Sequence, residues 1–412
     1  MKLKSLLLIG MLFLIVGCGN DNVNKVENKD VLSKKWDEIE SSAKGTKVNL
    51  FMWGGDEGIN QYIDEWATPR LQEEYNITLN RQPMNTEEFM QKLLTEKKAG
   101  KNKGTIDVIW INGANFKNAK NGDLLFGSFT NKLPNFNEYI SSTDQNAKFD
   151  QGTKIEGLEA PWGNVQFVFN YDSSKIDSPP KTLDELKQWI IDHPGKFTYP
   201  NVSDFTGNTF VKHLLVAGAG GNTDILAKEV DQDLLKKSED YIWGYLSDIK
   251  GSLWRRGETY PESLTKLDTL YSQGEVWMTM GFNSARAESL IANGIFPEST
   301  KSFILEQPGS ISNTHYLSIP FNSPNPEGAM TVINFLESPE AQIAKMDPDM
   351  WGEGTVLNFD KLSEDNQKKI KSLDRGESVL SPEILNQYKL PDLDTGYTEW
   401  INNEWANRVI EK

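Results

Sequence analysis

The chain has 412 residues, 38% hydrophobic and 25% charged, with one cysteine and a formal net charge of -16. That is the composition of a folded chain long enough for two ordinary domains or one large bilobal one, and it excludes a disordered chain. The acid excess argues against nucleic acid, whose binding surfaces are basic, and a lone cysteine excludes an internal disulfide.

Lys2 and Lys4 precede an uncharged, mostly apolar run over 5–16 that closes at Gly17-Cys18. Spanning a bilayer takes roughly 20 apolar residues, so the run reads as an export signal. A small residue followed by cysteine resembles the bacterial lipoprotein signal, which implies lipidation of Cys18; an ordinary secretory signal is the alternative. Residues 19–33 are polar and Asn-rich, a tether, and helix-like material follows at 34–42.

Lys47 to Trp53 is a predicted strand ended by Gly54-Gly55. Ile59, Tyr62, Ile63, Trp66 and Leu71 have helical spacing, with Pro69 expected to bend or interrupt the helix. Strands follow at 77–80 and 106–111, with a helix over 86–99 between them. The alternation predicts an open, mostly parallel α/β unit with ligands beyond the strand tips. Those tips are Trp53-Gly54-Gly55, Asn112 to Phe116, and the turn at Gln82-Pro83-Met84. The glycines let backbone N–H groups approach a ligand, or simply allow tight turns.

A second β run covers 165–171, after Pro161-Trp162-Gly163-Asn164. Thr182 and Glu185 make a capping box for a helix through Leu186 and Ile190. Phe197 to Pro200 reads as a strand, and Asn201 to Asn208 as a polar loop opening an apolar helix over 209–217. Hydroxyls and free N–H groups at that helix start suit a polar ligand, unless Thr206 is only a cap. Helical pieces over 219–270 carry Trp254-Arg255-Arg256, and a strand over 275–280 leads to Gly281 through Arg286. Short strands at 303–305 and 316–319, a helix over 327–337 and further helical pieces complete the chain.

Catalytic signatures are missing. His193, His213 and His315 form no HExxH or close metal-ligand pair, and there is no GxSxG elbow, Walker lysine or dinucleotide fingerprint. No metal or cofactor is expected. Carboxylates are plentiful, so an extracellular carbohydrate hydrolase using two of them stays open, as does a surface adhesin with an exposed apolar patch. His315 reads as structural or solvent-facing.

Trp53-Gly54-Gly55, Ile106 to Gly113, Pro161-Trp162-Gly163, Asp204 to Gly207, Trp254 to Gly257 and Gly274 to Met280, behind a lipoprotein-type signal, together resemble the solute-binding component of bacterial ABC importers, family 1. The likeness is to a subgroup related to the thiamine, polyamine and ferric-ion binders. It implies a two-lobed α/β fold of the periplasmic-binding-protein type II, with a mostly parallel sheet in each lobe and a cleft between them. Lobe one is expected over 45–160 plus 281–316 and lobe two over 161–280 plus 317–412, after a signal over 1–18 and a tether with leading helix over 19–44. Chain crossings are expected near 160–164, 278–282 and 314–320. It also implies a monomer that is lipid-anchored at the outer face of the cytoplasmic membrane, captures a small solute and docks on a permease. In the cleft, Trp53, Trp162 and Phe282 would offer flat apolar surface. Gly54, Gly55, Asn112, Asn115, Thr206 and Asn283 would fix polar groups, and Arg256 or Arg286 would meet an anionic group. A thiamine-like cation or polyamine would instead call on Asp56, Glu57 or Asp204.

Overall fold

The computed structural model describes residues 30–410 apart from 56, 141–144, 222 and 284. The signal, Cys18 and most of the tether therefore lie outside the described residues, as does Asp56.

The first βαβαβ unit forms as the sequence pattern requires. Strands β1 (Lys47–Met52), β2 (Thr78–Pro83) and β3 (Val108–Ile111) are parallel, with β1 in the middle: Lys47 lies opposite Thr78 and Leu50 opposite Val108. Successive crossovers place their helices on opposite faces of the sheet. Val48, Leu50 and Met52 accordingly pack with Tyr62 and Trp66, while Phe51, Ile109 and Ile111 pack with Phe89 and Phe116. Burial on both faces explains the unbroken apolar run Val-Ile-Trp-Ile in β3. Pro69 does not interrupt the helix over 57–75. A π-helical stretch, Tyr62–Ala67, precedes it, and the Thr68 N–H reaches back five residues to Ile63 O. The proline thus sits beside an already widened turn.

The remaining strands are β4 (Phe149–Asp150), β5 (Thr153–Lys154), β6 (Glu159–Gln166), β7 (Val168–Asp172), β8 (Met278–Gly281), β9 (Thr300–Phe303), β10 (Ser310–Ser318) and β11 (Lys389–Leu390). The first sheet runs β6–β10–β3–β1–β2, with β11 beside the start of β10. β10 is antiparallel to β3, Tyr316 facing Ile111, and to β6.

The second sheet, β8–β7–β9, departs from expectation: both of its pairings are antiparallel, so the mostly parallel sheet is found in the first lobe only. The chain leaves β7, passes through the helices of residues 183–272 and re-enters at the end it left, Met278 lying opposite Tyr171. Residues 197–200 do not pair as a strand. Lys196 O and Phe197 O accept instead from the N–H groups of Trp277 and Trp254.

Two large buried clusters divide the molecule, and their membership corrects the expected boundaries. The first holds Val48, Tyr62, Trp162 and Leu317 together with Ala329, Val332, Leu336 and Trp351. The second holds Phe167, Phe210, Leu246 and Met278 together with Phe296, Phe303, Tyr397 and Trp405. The segment 317–351 therefore belongs with the first lobe, and 281–311 with the second. The cause is plain in the helix Pro326–Leu336. Every residue from Gly328 onward is buried, so the helix needs apolar cover on all sides, and it lies against the β1 face.

Candidate functional site

Two antiparallel strands carry the chain between the lobes. Ser312 of β10 faces Gln166 of β6, and His315 faces Gly163. Toward the second lobe, Phe167 N–H donates to Ile311 O and Gln166 N–H donates to Phe282 O. The register slips between His315 and Tyr316, whose partners are Gly163 and Pro161, so Trp162 is an extra, bulged residue.

The bulge aims Trp162 into the first lobe. Its ring, fully buried, meets Trp110 at 5.4 Å and Trp351 at 4.9 Å between centroids, and His315 lies 4.7 Å from Trp110. The Glu353 carboxylate lies 3.0 Å from His315 Nδ1 and 3.4 Å from Lys345 Nζ. Lys345 also donates to Trp162 O. Burial pulls the Lys345 ammonium down to about 8, against the attraction of Glu353. A Cβ on Gly163 would fall inside the Glu353 carboxylate, so only glycine lets the two approach. Asn164 N–H donates to Gly354 O, which completes a clamp of segment 345–354 on the crossing strand.

Beside this clamp opens a cavity of about 660 Å³. Its floor is β6, from Pro161 to Gln166. Leu357, Phe359, Ile370, Phe282, Asn283 and Val379 also line it. Phe282 is held by Phe167, ring edge to face at 5.6 Å, and meets Phe205 at 4.8 Å with the rings tilted by 31°. The volume, with walls that mix apolar and polar surface, is that of a small-molecule site. Three cationic side chains, Lys371, Arg375 and Lys389, line it, against one carboxylate among the described residues, Glu383.

A smaller cavity, about 340 Å³, borders β10 at Ser312 to Thr314. Of its charged lining, Asp392 is paired, while Asp150 and Lys228 have no ion pair among the described residues. Lys212 and Asp392, both almost fully buried, are 2.9 Å apart. Asn313 Nδ2 donates to the other Asp392 oxygen at 3.1 Å, and Asn112 Nδ2 donates to Asn313 Oδ1 at 3.3 Å. His213, the next residue of the same helix, lies 2.7 Å from Thr209 O through Nδ1 and accepts the Ile311 N–H at Nε2. That geometry assigns a neutral ring with its proton on Nδ1, and burial pushes its pKa down to about 4. The Asp150 carboxyl accepts from Gly113 N–H at the helix start, and burial raises it well above the carboxylate range.

The expected site residues separate into groups. Phe282 and Asn283 line the large cavity, and Asn283 also bonds Trp351 O and Ala285 N–H. Trp53 is 46% exposed at the β1 tip. Gly54 lies against Pro83, and its carbonyl accepts from Asn60. Gly55 lies against the Trp53 ring, and Asn115 is in the first turn of the helix Gly113–Asn121. Trp162 is core rather than cavity surface. Thr206 is buried and not the cap: Asp204 accepts from Thr206 N–H and Gly207 N–H. Arg286 is paired with Asp268, and Arg256 is exposed in a left-handed turn with φ 57°. Sequence reasoning missed Arg375 and Phe205. Nothing marks Arg375 among the polar residues of 363–377. Phe205 carried one signal, a large aromatic placed directly after a capping aspartate where a core residue has no reason to be.

Residues 66–358, more than half of the chain, match the family model of the bacterial extracellular solute-binding protein. The protein YnjB of Escherichia coli is 32% identical over 375 residues, which is 90% of this chain and 93% of that protein. Among solved structures, an ABC transporter from Clostridium perfringens superposes with a TM-score of 0.62 at 16% identity, over 88% of this chain and 99% of that one. The spermidine/putrescine ABC transporter substrate-binding protein PotD of Streptococcus pneumoniae also gives 0.62, at 14% identity, over 88% and 98%. At these identities the structures speak for the fold alone, a periplasmic-binding-protein fold with helices around a mixed sheet. The family model and the relative speak for the lineage: this chain belongs to the bacterial extracellular solute-binding proteins.

Proposed function

We propose that the protein is the receptor of an ABC importer. It captures one small solute between its lobes and presents the closed form to a membrane permease. The observation that carries this reading is the 660 Å³ cavity at the lobe crossing, formed by residues of both buried clusters' neighbourhoods and floored by the crossing strand itself. A solute seated there touches both lobes, so its binding energy favours closure. Apolar rings such as Phe282 supply about 0.5–1.5 kcal/mol each to a well-stacked solute. On the same reading lipid on Cys18 holds the receptor at the outer face of the cytoplasmic membrane, with more than one acyl chain needed for firm hold.

Native mass spectrometry of the full chain, extracted in detergent without refolding, tests the reading. One solute of defined mass is expected to leave as the protein opens, with no turnover on incubation. A well-folded protein that carries no solute and is stabilised by no amine, vitamin, sugar, metal or oxyanion overturns it. For the anchor, Cys18→Ser is expected to move the protein from the membrane to the soluble fraction; retention in the membrane overturns that part.

A further inference from the structure

The overall charge is -16, yet the described lining of the large cavity inverts that sign, with three cations against one carboxylate. Arg375 is the telling member. Its Nη2 donates to Gly352 O at 3.0 Å, while its Nε is sealed from solvent and has no partner. Two carboxylates close to it are committed elsewhere, and Glu377, exposed, is not bonded to it. Glu288, which lies against Gly376, accepts from the backbone and hydroxyl of Ser378, and Asp374 accepts from Gly376 N–H. Burial alone pulls the guanidinium below its ordinary value, with no anion opposing it. The contrast with Lys212 and Lys345 is direct, because each of those buried cations has its carboxylate. Arg375 is only partly buried, but a guanidinium with its Nε sealed and without a counter-charge is still costly to hold, and its fork matches planar oxyanions.

We propose that the solute of the large cavity is a small anion with an apolar body, whose carboxylate or phosphate head is taken by Arg375. This deepens the solute-capture reading and rests on it. Phe282, Phe359 and Leu357 take the apolar body, and Lys371, whose ammonium lies 5.2 Å from the Phe359 ring, adds positive field at the wall. Of the carboxylates on which a polyamine or thiamine-like cation would have called, Glu57 and Asp204 are not in the described lining. Asp204 is spent on its helix N-terminus and on Leu264 N–H, and Glu57 lies in the first turn of the helix Glu57–Gln61.

The accurate mass and charge sign of the co-purified solute, together with calorimetry on the full chain, decide the matter. The probes are phenylacetate, succinate, phenyl phosphate and glucose 6-phosphate, set against spermidine, thiamine and maltose. An anion is expected to bind, and Arg375→Met to weaken it at least tenfold while the melting temperature of the empty protein stays level or rises. Arg375→Lys, which keeps the charge without the fork, is expected to fall between. Which anions bind separates a carboxylate solute from a phosphate one. A cationic or neutral solute whose binding is lost in Phe282→Ala overturns the anion and leaves solute capture standing. Anion binding of equal strength in Arg375→Met overturns the role of Arg375. A folded protein that carries no solute and binds none of the probes overturns the capture reading itself.

Discussion

The two cavities at the lobe crossing are built against neighbouring strands, one on β6 and the other on β10, and they differ in how one cation at each is held. In the small one the chain Lys212–Asp392–Asn313–Asn112 links cation, carboxylate and two amides within hydrogen-bonding distance. In the large one Arg375 has a single backbone carbonyl and a sealed, unpartnered Nε. A buried polar network that is satisfied fixes one arrangement of the chain, whereas a partly satisfied one costs stability until something completes it. The comparison teaches where to look for a ligand: at the charge the fold has left unfinished, rather than at the densest cluster of polar or aromatic side chains.

Breaking a buried ion pair is expected to have the largest effect. Glu353→Ala removes the one carboxylate beside the fully buried Lys345 and is expected to cost about 3–5 kcal/mol in urea unfolding. A loss below about 1 kcal/mol would show that Lys345 tolerates isolation, and would weaken the contrast with Arg375. Next comes pH. His213 is neutral when folded, with its pKa lowered to about 4 from 6.5. Its folded value lies below its unfolded value, so this stability is complete above about pH 6.5 and drains away as pH falls toward 4, for about 3 kcal/mol in all. Proton NMR of the ring should show no protonation above about pH 5; a midpoint near 6.5 would contradict the assigned Ile311 N–H to Nε2 bond.

In the unfinished cavity the effects are smaller and fall on binding. Phe282→Ala is expected to weaken solute binding by about 0.5–1.5 kcal/mol, roughly two- to tenfold, with most of the fold's stability kept. Unchanged affinity would move the solute away from that wall. The smallest effect is expected at Arg256, exposed and outside both cavities: Arg256→Ala should leave affinity within about 0.5 kcal/mol, and a larger loss would bring the 254–257 turn into the site.

Much of the first lobe was legible because its signals are local. The apolar runs of β1 and β3 and the helical spacing around Tyr62 translate directly into structure, as does one local signal of the second lobe, the Thr182 cap that accepts from Glu185 N–H. The sheet of the second lobe was not, since strand direction depends on where a long helical excursion returns, and no residue of β8 records that. The lobe boundaries failed for the same reason. Residues 317–351 read as a continuation of the second lobe until the buried helix 326–336 is seen to need the β1 face. Of the candidate site, Phe282 and Asn283 were within reach as residues at a strand end. Trp162 misled because an aromatic before a glycine reads equally as ligand platform or core, and only the bulge decides. Arg375 was invisible, because what distinguishes it is the missing partner, and sequence does not show partners.

The bulge has a further consequence for the division of labour along β6. Side chains alternate with a period of two, so one surplus residue reverses which face every later residue presents. Ala160 and Trp162 turn into the first lobe's core, and three residues beyond the glycine the strand must deliver Gln166 to Leu385 O and then Phe167 to the second core. Trp162 thus acts as a phase shifter between two interiors that share one continuous strand. Shortening β6 by that single residue would remove no more than one ring from the core, yet it would set the two lobes half a period out of step.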